Sequence, residues 1–200
     1  MSATSVVLVD SGGSNLASVQ AAFARLGVVA PVSSDWGQIQ AASHVVLPGV
    51  GAAGPAMAKL HAFGLVEKLA TLVQPVLGVC VGVQLLFERS AEGEIPCLGI
   101  MAGRVEKLVA KPGLRIPHMG WNRIDIIDST HPLCAGLQGS YAYFVHSFAA
   151  GLSAQTLASS THGQCFSAVV ARRNFMGAQF HPERSQAAGA QLLKNFFEIR

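Results

Sequence analysis

The sequence predicts an α/β fold, an open and mostly parallel twisted sheet flanked by helices, with an antiparallel extension in the C-terminal half. Three observations carry this prediction. Short continuous apolar runs, such as residues 5–9 and 76–79, have the pattern of strands covered on both faces. In the first half of the chain, stretches of helical periodicity alternate with these runs across short loops. From Ile100 the helical signal fades, and strand-like segments follow one another up to a closing helix.

Taken in order, the strand at 5–9 ends in a turn-rich loop, Asp10-Ser11-Gly12-Gly13-Ser14-Asn15. Leu16, Val19, Phe23 and Leu26 then share one face of a helix that Gly27 is placed to end. A strand at 28–32 closes a βαβ unit. The pattern repeats with a strand at 44–47, a glycine loop and helical sequence to about Val73. A strand at 76–79 and a helix from about Gly82 to Arg89 come next. Further strands are expected at 101–109, 123–127, 141–148, 156–160, 165–171 and 175–180, several of them antiparallel. Residues 186–199 close the chain as a helix with Leu192, Phe196 and Ile199 on one face. With no internal repeat, linker or low-complexity segment, residues 1–200 read as one domain.

Composition excludes several functions. Half of the 200 residues are hydrophobic and only 12 % are charged, which suits a doubly covered sheet and a surface that meets a partner. The most apolar stretch, 45–57, is broken by prolines and glycines and falls short of the ~20 residues a membrane span needs. A net charge of +3 without a Lys/Arg block argues against nucleic acid. The start of the chain lacks the basic and apolar segments of a signal peptide. Cys80, Cys97, Cys134 and Cys165 show neither C-x-x-C nor zinc-finger spacing, so no metal, cofactor or disulfide framework is expected. A reducing cytoplasm is the simplest compartment.

Two motifs carry chemistry. Gly78-Val79-Cys80-Val81-Gly82 places a thiol at a strand-to-helix junction, resembling the G-x-S-x-G elbow with sulfur in place of oxygen. The flanking glycines suit a crowded, strained turn. The helix N-terminus favours the thiolate, and the Val81 amide can serve a developing oxyanion. An isolated cysteine is more often a small buried hydrophobe, and Cys97, Cys134 and Cys165 are read as packing residues. His181-Pro182-Glu183 follows an apolar strand, and Pro182 keeps His181 out of the helical region. In an extended tripeptide, Glu183 lies beside His181 and orients it towards a nucleophile. Pro48-Gly49-Val50-Gly51 ends a neighbouring strand and can bring a second oxyanion donor to the same crevice. It lacks the P-loop and G-x-G-x-x-G patterns of nucleotide sites.

With Gln84 after the elbow and Gln179-Phe180-His181-Pro182-Glu183-Arg184-Ser185 near the end, the chain resembles the class I (triad) glutamine amidotransferases. Leu47-Pro48-Gly49-Val50-Gly51, Ile116-Pro117-His118-Met119-Gly120-Trp121-Asn122 and Tyr143-Phe144-Val145-His146-Ser147-Phe148 are similar to the glutaminase subunits of imidazole glycerol phosphate synthase. That resemblance implies glutamine hydrolysis by Cys80, with His181 as base then acid and Glu183 orienting it. It implies an oxyanion hole from Val50, Gly51 and Val81, and glutamine contacts from Gly49, Gly51, Gln84, Glu92 and His146-Ser147-Phe148. It also implies a (β/α)8 cyclase partner met by Asn15, Met119, Gly120, Trp121 and Asn122, the 116–122 segment being read as a loop.

The first loop departs from the family pattern D-Y-G-x-G-N at Ser11, Gly13 and Ser14, Ala53 replaces a frequent Phe, and Phe148 stands where Tyr is common. Another amidotransferase subunit, a catalytically silent docking subunit and a free-standing Cys hydrolase are the alternatives.

Overall fold

The computed structural model describes residues 5–12 and 15–200. Gly13 and Ser14 of the divergent first loop lie outside the described residues. In chain order the elements are β1 (Val6–Val9), α1 (Leu16–Arg25), β2 (Val32–Ser33), α2 (Trp36–Ala41), β3 (His44–Gly49), α3 (Ala53–Ala62) and α4 (Val66–Leu69). Next come β4 (Val76–Cys80), α5 (Val81–Leu85), β5 (Phe87–Ser90), β6 (Ile95–Pro96), β7 (Met101–Lys107), β8 (His118–Arg123) and β9 (Asp125–Ile126). The last are β10 (Tyr141–His146), β11 (Phe148–Ala150), β12 (Thr156–His162), β13 (Gln164–Arg172), β14 (Phe175–Ala178) and α6 (Gln186–Glu198).

Among the described residues the main sheet has eight strands in the order β2-β1-β3-β4-β14-β13-β12-β9. Pairing is parallel from β2 to β14 and antiparallel from β14 onward. The parallel half shows the doubly covered pattern the sequence predicts, since every residue of β1, β3, β4 and β14 is buried. Helix α1 buries Val19, Ala22 and Phe23, and a side chain the size of Phe23 contributes roughly 2–3 kcal/mol by leaving water. Its end lies at Gly27, whose N–H donates to the Ala24 carbonyl at 2.9 Å. Two smaller sheets, β11-β7-β5-β6 and β10-β8, flank the main one.

Four expectations need correction. The strand at 28–32 shrinks to Val32–Ser33, because Val29 is 85 % exposed and Pro31 offers only its carbonyl, which accepts from Leu8 N–H. The helix from Gly82 to Arg89 stops at Leu85. The carbonyls of Leu85 and Leu86 are taken by the N–H groups of Leu98, Ile100 and Met101, and Phe87–Ser90 joins β7 as a strand. Tertiary pairing there overrides a helix-compatible sequence. Residues 53–69 form two helices separated at Gly64, and α2 was not foreseen. Finally, 118–123 is a strand rather than a loop, paired in register with β10 from His118↔His146 to Arg123↔Tyr141. Its period of two turns His118 inward and leaves Met119 and Trp121 64 % and 48 % exposed.

Candidate active site

Strand β4 runs into α5 through Cys80, whose φ of 53° and ψ of −111° no ordinary L-residue adopts without strain. Two glycines make the turn possible. A Cβ on Gly78 would lie 2.7 Å from Gly82 O and Val83 backbone atoms, and one on Gly82 would lie 1.7 Å from the Leu47 carbonyl oxygen. The elbow is therefore wedged against β3, with Gly49 packed beneath Val81. The Val81 amide stands at the first turn of α5, where backbone donors have no partner inside the helix.

Strand β14 lies beside β4, which carries the chain beyond it to the same end of the sheet. His181 keeps an extended backbone (φ −95°, ψ 98°), but Pro182–Arg184 closes as a 3-10 turn rather than continuing extended. The turn still returns Glu183 to His181, with Nδ1 2.7 Å from Oε1. This leaves the other ring nitrogen to serve Cys80, which lines the same cleft. Burial disfavours the imidazolium, yet hydrogen bonds and charge from Cys80 and Glu183 outweigh it and raise the His181 pKa to about 10. Burial likewise opposes the Glu183 carboxylate, and His181 and Asn15 overcome it to hold its pKa below the usual range.

Asn15, which the sequence assigned to a partner surface, also reaches a residue of its own chain. Its Nδ2 donates to Glu183 Oε1 at 2.5 Å, across 168 residues of sequence. An asparagine at a helix N-cap ordinarily accepts from its own helix, and Asn15 makes no such bond. The side chain is turned from local capping to the carboxylate. No local signal predicts that contact, since only the tertiary fold brings α1 to the turn after β14.

Cys80, Val81, Val50, Gly51 and His181 open onto a cleft of about 270 Å³, a size for a small metabolite. Its other walls include Gln84, Glu92, Pro117 and the segment Val145 to Phe148. Gln84 Nε2 donates to Phe148 O at 2.8 Å and Gln179 Oε1 at 3.0 Å, and Glu92 Oε2 accepts from Ala53 N–H at 2.9 Å. Gln179, quoted in the sequence as part of the motif but given no role, has its Nε2 3.9 Å from Cys80 Sγ. Gly49 supports the elbow without lining the cleft. Met119, Gly120, Trp121 and Asn122 all lie on strand β8, and Asn122 Nδ2 donates to Thr161 O at 2.8 Å. Of the other cysteines, Cys134 is buried, Cys97 is partly covered, and Cys165 is exposed and so does not pack as expected. Among the described residues no His, Cys, Asp or Glu group could hold a metal, and no helix is long and apolar enough to cross a membrane.

The buried titrating groups set a pH window for stability. Burial lowers the pKa of His118 to about 4 and of His146 to about 3, so the unfolded chain takes up these protons near pH 6.5 while the fold resists them. The unfolded state therefore binds more protons between about 6.5 and 3, and stability falls as pH drops through that interval. Glu183, with a depressed pKa, acts in the same direction on the acid side. His181, with a raised pKa, contributes stability that is complete below about 6.5 and lost as pH rises through about 10. Thermal melts across pH 3–10 are expected to show both limbs, and a flat acid limb would contradict neutral buried imidazoles.

The family described as Glutamine amidotransferase class-I matches residues 7–199. Imidazole glycerol phosphate synthase subunit HisH of Xylella fastidiosa (strain Temecula1) is 47 % identical over 196 residues, covering 98 % of both chains. The subunit HisH of Xanthomonas axonopodis pv. citri is 50 % identical over 198 residues, again covering 98 % of each. In fold, the chain is similar to a putative GMP synthase component from Thermoplasma acidophilum, with TM-score 0.73, 24 % identity, and 97 % and 92 % of the two chains covered. A solved glutamine amidotransferase gives TM-score 0.75 at 18 % identity, covering 96 % of this chain and 97 % of that one. Elbow, cleft and sequence kinship agree: the chain belongs to the class I glutamine amidotransferases, in the group of the HisH subunits of imidazole glycerol phosphate synthase.

Proposed function

We propose that this chain hydrolyses glutamine to glutamate and ammonia and delivers the ammonia to a (β/α)8 cyclase subunit. That partner uses it to form imidazole glycerol phosphate and aminoimidazole carboxamide ribotide in histidine biosynthesis. The observation that carries the reading is the strained Cys80 on the same cleft as His181, with Glu183 bonded behind the imidazole. The names of the relatives, subunits of that synthase, support the wider assignment.

In this mechanism Cys80 Sγ attacks the side-chain amide carbon, and its proton resides on His181. The negative oxygen of the tetrahedral intermediate meets the Val81 amide and a backbone donor from Val50-Gly51. His181 then protonates the departing nitrogen, which leaves as ammonia, and a γ-glutamyl thioester remains. Water, deprotonated by His181, cleaves the thioester to glutamate and restores the thiol. Gln84, Glu92 and the 146–148 backbone surround the rest of the substrate. The exposed pair Met119 and Trp121 form the cyclase-facing anchor, as large apolar groups at interface centres do. The reaction runs in the cytoplasm.

Glutamate release measured for the chain alone, with the cyclase, and with cyclase plus its nucleotide substrate tests this reading. A slow rate that climbs sharply in the third mixture supports it. A rate indifferent to the cyclase would move the activity to another amidotransferase or a free-standing hydrolase. Asn15→Ala is expected to lower kcat by about tenfold, the worth of one hydrogen bond to a buried charge, with KM for glutamine little changed. A fall confined to cyclase affinity would return Asn15 to the interface.

A further inference from the structure

The wall of the cleft opposite the elbow is held by a line of buried imidazoles. His146 Nδ1 lies 3.0 Å from the Phe148 carbonyl, and its Nε2 lies 3.0 Å from His118 Nδ1. On the far side, Asn122 Nδ2 lies 3.3 Å from His118 Nε2 and donates to Thr161 O. Both rings are nearly inaccessible to water.

The direction of every proton in this line follows from its end. A carbonyl only accepts, so His146 Nδ1 carries the hydrogen that meets Phe148 O. Burial keeps both imidazoles neutral near neutral pH, so His146 Nε2 is an acceptor and His118 Nδ1 its donor. His118 Nε2 is then the acceptor that faces the Asn122 amide. Protons thus point from Asn122 through His118 and His146 to the cleft, and one carbonyl orients the whole series. The same carbonyl accepts from Gln84, whose side chain faces the cleft.

The His118 ring is also clamped in its plane. Phe144 stacks on it at 5.0 Å and 20°, and His162 at 4.1 Å and 18°. A phenylalanine could fill such a slot, so packing alone does not call for two nitrogens that each find a partner of matching polarity. Register reinforces the point, because His118 and His146 are directly opposed across β8 and β10. The strand bearing His118 is the one that exposes Met119 and Trp121.

We propose that His118 is a positioning residue for the glutamine subsite, acting through His146 to set the Phe148 carbonyl and the Gln84 amide that wall the cleft. The inference rests on the glutaminase reading above and adds to it a residue that reaches the substrate only through another side chain. Its effect falls on how glutamine is held, and not on the nucleophile.

The test is glutamine kinetics of the cyclase complex carrying His118→Phe or His118→Asn. Phenylalanine keeps the stacking and removes both nitrogens, whereas asparagine keeps a donor near the place of Nδ1. For H118F we expect KM to rise about tenfold, the equivalent of one lost hydrogen bond, with kcat within about threefold. H118N is expected to recover most of that KM. Alkylation of Cys80 by iodoacetamide, followed by site-resolved mass spectrometry, should proceed at the wild-type rate in both. An unchanged KM in H118F, an equal rise in both variants, or slowed alkylation would overturn the proposal. Should H118F not fold, Asn122→Ala removes the donor at the start of the line, where a KM rise of about threefold is expected and none would overturn it. A wild-type complex that releases no glutamate defeats the glutaminase reading and this inference together. An active wild type with an unaltered H118F defeats the inference alone.

Discussion

Cys80→Ala is expected to abolish glutamine-dependent synthesis in the complex, lowering the rate by about 10⁴-fold or more, as loss of a covalent nucleophile does. Ammonium supplied from solution should still feed the cyclase, which separates lost glutamine chemistry from a damaged cyclase. Cys80 and His181 act as one unit, so Cys80→Ala combined with His181→Ala should be no worse than either alone. Retention of glutamine-dependent turnover in the single variant would instead identify a docking subunit that leaves hydrolysis to another protein. The placing of Cys80 and His181 on one cleft and the 2.7 Å contact behind the imidazole are the observations at stake.

The second large effect is structural. Gly82→Ala would place a methyl carbon 1.7 Å from the Leu47 carbonyl oxygen, which belongs to a central strand and cannot move aside alone. Overpacking against backbone of this kind costs on the order of 3 kcal/mol or more, a large part of the stability of a domain. The expected result is a variant that fails to accumulate folded or melts far below wild type. Gly54→Ala is the control: its added Cβ meets nothing within 4 Å, and it lies in helix α3. Similar melting of the two variants would show that the elbow relaxes more readily than its contacts imply.

The parallel half of the sheet was legible because strands buried on both faces leave continuous apolar runs, and β1, β3 and β4 announce themselves that way. The elbow was legible too, since its glycines are dictated by close backbone approach within a few residues. Strands 87–90 and 118–123 were hidden for a different reason. Their conformation is set by partners, Met101–Lys107 and Tyr141–His146, that no local window contains. The same limit applies to side chains. The pairing of His181 with Glu183 was foreseen, though through an extended tripeptide rather than the 3-10 turn that forms, and Asn15, Gln179 and His118 owe their places to contacts across the fold. Asn15 carries a strong local preference for capping, and the tertiary carboxylate overrides it.

The position of β14 in the sheet has a temporal meaning. The last strand among the described residues fills the centre of the sheet, between β4 and β13. During synthesis, β4 and its thiol emerge long before the strand that leads to the imidazole, and until then one edge of β4 has no partner. A ribosome-bound chain stalled before Phe175 should therefore carry Cys80 without any hydrolytic capacity. Ammonia release would begin only once the sheet closes, so an unfinished chain consumes no glutamine. The exposed edge is the cost of that delay, and it marks β4 as the segment where a chaperone or a misplaced strand would bind first.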